Sequence, residues 1–114
     1  MNVFISGKIT GNPDYKKQFH QRAVDLRSLG HFPYDPCVIG ENLKEELGRE
    51  PTYEEYMERD FEMIDRVDAI NFLPNWQDSE GSKREYEYAV AHNKIILQIK
   101  MFDWHHHSDY KVKR

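Results

Sequence analysis

A three-layer α/β fold around a parallel sheet is predicted by three features of the sequence. Short runs of β-branched and aromatic residues alternate with segments whose apolar residues recur every three or four positions. The order is strand, helix, strand, loop, helix, strand, helix, strand, and glycine or proline marks most of the joins. Right-handed crossovers between successive parallel strands put helices on both faces of such a sheet. The expected architecture is therefore Rossmann-like, of the flavodoxin-like kind, with four or five strands.

Asn2 to Ser6 reads as the first strand, with Val3, Phe4 and Ile5 running into Gly7 and a loop that reaches Gly11. Asn12 and Pro13 suit an N-cap and a first helical position, and Tyr15, Phe19, Ala23, Leu26 and Leu29 follow at helical spacing. Gly30 stops that helix. Residues 31–35 form a weak second strand, and residues 36–51 read as a polar, lid-like connection with room for a short helix around 41–47. Thr52 and Glu55 make a capping box for a helix bearing Tyr53, Tyr56, Met57, Phe61, Ile64 and Val67 and running to about Arg66. Residues 68–73 form the next strand, which turns at Pro74 and Asn75. Residues 81–93 form an amphipathic helix capped by Ser79 or Ser82, on which Tyr86, Ala89 and Val90 share a face. Residues 95–99 complete the sheet as a buried strand.

The 114 residues suffice for one domain, placed at 1–100, with 101–114 as a tail. The hydrophobic fraction of 39% supports a packed core, while a mean hydropathy of -0.87 indicates a polar surface. A net charge of -4 with scattered Lys and Arg argues against nucleic acid as a partner. Cys37 is the single cysteine, which fits a reducing compartment, and no apolar run reaches membrane length. The expected location is the cytoplasm, with no membrane partner. His105, His106 and His107 are adjacent in sequence, so they point in different directions and make a poor metal cage. No metal or cofactor is expected.

Glu85 is the leading candidate for chemistry. It lies one helical turn after Gly81, near the amino end of its helix, where unpaired N–H groups favour a carboxylate or an anionic ligand. The plainer alternative is a carboxylate placed there by the helix dipole alone. In open parallel sheets ligands bind beyond the carboxyl ends of the strands. That rule brings the 7–11 loop, the Cys37 region and residues 73–85 to one mouth.

These residues carry a likeness. Phe4-Ile5-Ser6-Gly7-Lys8-Ile9-Thr10-Gly11, Asp60 ahead of Asp68-Ala69-Ile70, and Ser79-x-Gly81-x-x-x-Glu85-x-x-x-Ala89 occur in this order, with Tyr53-Glu54-Glu55-Tyr56-Met57 and Leu73-Pro74-Asn75-Trp76 between them. Over residues 2 to about 99 the chain resembles the nucleoside 2-deoxyribosyltransferase superfamily. It is nearest in pattern to small uncharacterised phage and bacterial domains of that type, and then to the 2'-deoxynucleoside 5'-monophosphate N-glycosidases.

The resemblance implies a Glu85 nucleophile that attacks C1' of a nucleoside or nucleotide and expels the base, the sugar ester then being opened by water or another base. It implies that Asp60 assists, by protonating the leaving base or orienting the attacking group. It implies that Gly7, Lys8, Ile9, Thr10 and Gly11, with Ser79 and Gly81, bind the substrate, including any phosphate. Within the resemblance Phe4 stands where catalytic members carry Tyr, and Thr10 where the monophosphate enzymes carry a cation. The resemblance also implies a homodimer or higher homo-oligomer, for which residues 52–66 are the expected contact surface. The rival expectation is a nucleotide-binding or sensing module that uses the same pocket without turnover.

Overall fold

A computed structural model describes residues 1–99, and the tail with His105 to His107 lies outside the described residues. The elements are β1 (Asn2–Ser6), α1 (Tyr15–Ser28), β2 (Phe32–Tyr34), α2 (Pro36–Leu47), α3 (Tyr53–Arg66), β3 (Ala69–Phe72), α4 (Glu80–Ala91) and β4 (Ile95–Ile96). A 3-10 turn at Trp76–Asp78 precedes α4. The sheet is four-stranded and all parallel, in the order β2-β1-β3-β4. The molecule is a three-layer, Rossmann-like α/β fold.

Alternation along β1 sorts its side chains between two cores. Val3 and Ile5 pack with Phe19, Ala23 and Leu26 of α1. Phe4 points the other way, against Ile64 and Val67 of the α3 segment and Ala89 of α4. Helices therefore cover both faces. The chain leaves β1 toward β2 on one side and returns through β3 to β4 on the other. A crevice opens at that reversal, at the carboxyl ends of β1 and β3.

Several boundaries differ from the sequence reading. Helix α1 begins at Tyr15 behind Asp14, and Asn12 does not cap it. Its amide instead braces the preceding loop, donating to the Lys8 carbonyl and to Gln18 Oε1, each at 2.8 Å. The 36–51 connection is mostly helix rather than loop: α2 fills twelve residues of it, starting at Pro36 and longer than the short helix expected at 41–47. Asp35 accepts from the Cys37 N–H, Pro36 sits at the first helical position, and Gly48 ends the helix at φ 69°. Its polarity misled because only Pro36 and Leu43 are buried.

Strand β4 is two residues long and lies at the sheet edge, with Ile95 51% and Ile96 36% exposed, rather than forming a buried strand over 95–99. Leu97 and Ile99 beyond it do pack on the α1 core. On α4 the buried face is Ser82, Glu85 and Ala89, whereas Tyr86 and Val90 are exposed. The capping box at Thr52 and Glu55 is present. None of the described helices is long and apolar enough to cross a membrane.

Candidate active site

The crevice is a cavity of about 780 Å³. Its walls come from the β1 loop (Gly7 to Thr10), the amino end of α2, the inner face of α3, and residues 78–82 with Glu85. Gly7, Lys8, Ile9, Thr10, Asp60, Ser79, Gly81 and Glu85 thus come together, and Gly11 is not among the lining residues. Gly11 turns the loop at φ 75°. Gly7 has a steric role of its own, since a Cβ there would lie 2.6 Å from Leu73 Cδ1.

Glu85 forms the floor. It is 5% exposed, and its helix is started by Ser79, whose hydroxyl accepts from the Ser82 N–H at 3.1 Å. Ser6, the last residue of β1 and fully buried, donates to Glu85 Oε1 at 2.6 Å. That length is typical of a hydroxyl bonded to an ionised oxygen. Ser6 Oγ also lies 3.0 Å from Ser82 Oγ. Nothing in the sequence marked Ser6 beyond its place at the end of a strand. Parity supplied the signal, because Ser6 faces the same side as Phe4 and α4 passes over that side.

Asp60, from the middle of α3, meets Glu85 in the cavity and shares a hydrogen bond with it. Burial, then the Glu85 charge, then that hydrogen bond hold the Asp60 carboxyl well above the usual carboxylate range. Burial also raises Glu85, but hydrogen bonds from Asp60 and Ser6 and the charge of Arg84 oppose the rise. The pair as a whole therefore favours one proton between two carboxyls, drawn toward Asp60, whose carboxyl is raised with no opposing influence, rather than toward Glu85. Two carboxyls whose surroundings push them apart in acidity can act chemically as a proton donor and a charged partner.

The rest of the lining divides by character. Tyr15, Phe19, Pro36, Tyr53, Tyr56 and Met57 supply an aromatic and apolar wall fit for a planar ring. Tyr53 and Tyr56, on the helical stripe of the expected 52–66 contact surface, line the cavity. Tyr56 donates to Glu50, which pushes its phenol up to about 12. Cys37 is likewise raised to about 12, by burial and then by Asp35, so its thiol stays neutral. Among the described residues Lys8 is the one cation of the lining, against Glu41, Glu50, Asp78 and Glu80 besides the central pair.

The anion cradle expected of the β1 loop is partly occupied from within. The Lys8 N–H donates to Asn75 Oδ1 at 3.3 Å, and Asn75 also reaches Gln18. Arg84 faces away from the cavity: it makes a two-pronged pair with Glu54 and lies over the Tyr53 and Phe61 rings, tying α4 to α3. Trp76 packs between Phe72 and Tyr86, outside the lining. Among the described residues no group of three or more His, Cys, Asp or Glu side chains is arranged to hold a metal.

A family model, that of the Domain of unknown function (DUF4406), matches residues 1–99. The chain belongs to this family. No curated protein matches it. The match takes in every lining residue among the described ones, so the candidate site as described lies within the DUF4406 domain.

Proposed function

We propose that this chain cleaves or transfers the N-glycosidic bond of a (deoxy)nucleoside or its 5'-monophosphate, with Glu85 as nucleophile and Asp60 as acid and then base. The observation that carries the reading is the meeting of two carboxyl groups from different helices in one cavity, where burial raises both and Asp60 the more strongly. Their closeness suits the nucleophile route, in which carboxyls stand about 5 Å apart, better than the direct-water route, which needs roughly 6.5–9.5 Å between them.

In the first step Glu85 oxygen bonds to C1' as the C1'–N bond breaks, and the Asp60 proton goes to the departing base. In the second step water or another base opens the ester, giving its proton to Asp60 and freeing Glu85. The aromatic wall is suited to stacking the base. No step calls for a cofactor.

Incubation with a panel of nucleosides and monophosphates, followed by chromatography for free base, tests the reading. Release by the native protein and its loss in folded Glu85→Ala are expected, and retention by the variant would remove Glu85 as nucleophile. The second reading, a nucleotide-binding or sensing module, draws on Phe4, which is fully buried in the core and brings no hydroxyl to the site. It predicts a ligand-induced rise in Tm without base release. We propose a homodimer or larger assembly as the working form, supported by Tyr53 standing 50% exposed at the rim of the cavity on α3. Light scattering that returned a monomer mass would refute it.

A further inference from the structure

We propose that Ser6 is a positioning residue for Glu85: its hydroxyl pins one oxygen of the carboxylate and leaves the other directed to the sugar. The inference deepens the glycosyl-transfer reading and rests on it for its kinetic arm alone. Three buried groups, Ser82, Ser6 and Glu85, form a line that continues to the half-buried Asp60. A serine hydroxyl has a single proton. The 2.6 Å bond to the charged Glu85 Oε1 takes it, so at the 3.0 Å contact Ser6 accepts from Ser82. Ser82 orients Ser6, and Ser6 fixes the Glu85 carboxylate about its last torsion.

The placement follows from the fold. Ser6 ends β1 opposite Phe72 of β3, and the N–H of Leu73 donates to the Ser6 carbonyl at 2.8 Å, so its backbone is held on the strand. Ser82 and Glu85 are three residues apart on α4 and share its buried face. A hydroxyl buried between a strand and a helix, where the other side chains of the two cores are apolar, needs a polar partner. Here that partner is the residue proposed to attack. Removing Ser6 takes a hydrogen bond from the ionised form of Glu85 and so favours its protonation.

The other charges that act on Glu85 come from several elements, Arg84 from outside the cavity and the rest from its lining. Asp60 belongs to α3 and Arg84 to α4 itself, Lys8 to the β1 loop, and Asp78 and Glu80 to the approach to α4. Glu41 and Glu50 lie across the cavity. None of these groups changes in a Ser6 variant, so a shift in the titration of Glu85 reports on Ser6.

The experiment uses the full chain, Ser6→Ala and Ser6→Cys, the latter keeping volume while weakening the donor. The carboxyl carbon of 13C-labelled Glu85, assigned with Glu85→Gln, is titrated by NMR in each, and kcat and KM for base release are measured across pH. The expected results are a Glu85 midpoint that moves to higher pH in Ser6→Ala with Ser6→Cys between, and a kcat lower by about 10- to 100-fold with KM little changed. The acid limb of the kcat profile moves to higher pH with the midpoint. An unchanged midpoint in both folded variants overturns the proposal whether or not turnover is seen. A native protein that releases no base from any substrate sinks the glycosyl-transfer reading instead, and the titration still decides the role of Ser6.

Discussion

Replacing Asp60 by Asn tests the raised carboxyl directly, because relief of an unfavourable buried ionisation and loss of a stabilising contact have opposite signs for stability. Folding raises the Asp60 carboxyl above its unfolded value, chiefly by burial and then by the Glu85 charge. Between the unfolded value, about 3.9, and the folded one, the native state binds the extra proton, so stability falls as pH rises through that window. Above it the full penalty is present. Asn keeps a donor for the ionised Glu85 and does not titrate, so Asp60→Asn removes the penalty and little else.

Relief of one such unfavourable burial is worth about 0.5–2 kcal/mol, or roughly 2–8 °C in Tm for a chain of this size. Scanning calorimetry from pH 4 to 8 should show curves that coincide near pH 4 and separate above it, the variant being the more stable. The shifted carboxylates outside the Asp60–Glu85 pair are common to both proteins and cancel, and a change in Glu85 belongs to the effect measured. Turnover should fall by about 10²- to 10⁴-fold in the same variant, the usual worth of a positioned acid or base. A variant less stable than the native chain at pH 7, or a gap that ignores pH, would refute the raised Asp60 carboxyl and the acid role built on it.

Further outcomes follow from other parts of the site. Gly7→Ala should destabilise the chain by about 1–3 kcal/mol in urea unfolding, since the new Cβ meets Leu73 Cδ1 at 2.6 Å and Leu73 Cβ and Cγ at 3.0 Å. Cys37, raised to about 12, should react with iodoacetamide at pH 8 on the order of 10³-fold more slowly than an ordinary thiol, and brisk labelling of the folded chain would contradict its burial. The acidic lining should disfavour a phosphate dianion, so Asp78→Asn combined with Glu80→Gln should tighten binding of a deoxynucleoside monophosphate several-fold while leaving the matching nucleoside unchanged. Isothermal titration at low salt reads both ligands, and equal effects on the two would show that these carboxylates do not sense the phosphate.

Much of the architecture was legible because local signals and tertiary placement agree. Asn2 to Ser6, the Thr52 capping box and the Ser79 cap each carry a distinct physical signature, and each lies where it was read. Helix α2 was obscured by its own start, since Pro36 breaks a helix that precedes it and begins one that follows. The buried face of α4 was misread for a different reason. Apolar periodicity selects Tyr86, Ala89 and Val90, but the face that turns inward is Ser82, Glu85 and Ala89, polar because it holds the site. Hydropathy does not reveal a buried polar stripe, and sequence separation conceals that Ser6, Asp60 and Glu85 meet.

The same parity explains how Phe4 is compatible with a working site. Phe4 and Ser6 point to one side of β1, and two residues along a strand span about 6.6 Å. Phe4 lies under Ile64, Val67, Ile70 and Ala89, where a ring without a hydroxyl leaves no polar atom unpaired. One repeat farther on, at the carboxyl end of the strand, Ser6 meets the carboxylate directly at 2.6 Å. The hydroxyl that reaches Glu85 thus comes from the strand's end rather than from within its packed core. A polar group at the end of β1 needs only the neighbouring α4 residues as partners, and α4 supplies Ser82 and Glu85 at the spacing of one helical turn. The aromatic residue at position 4 is then free to serve packing alone, and the chemistry proposed for this chain belongs to the rim of the sheet.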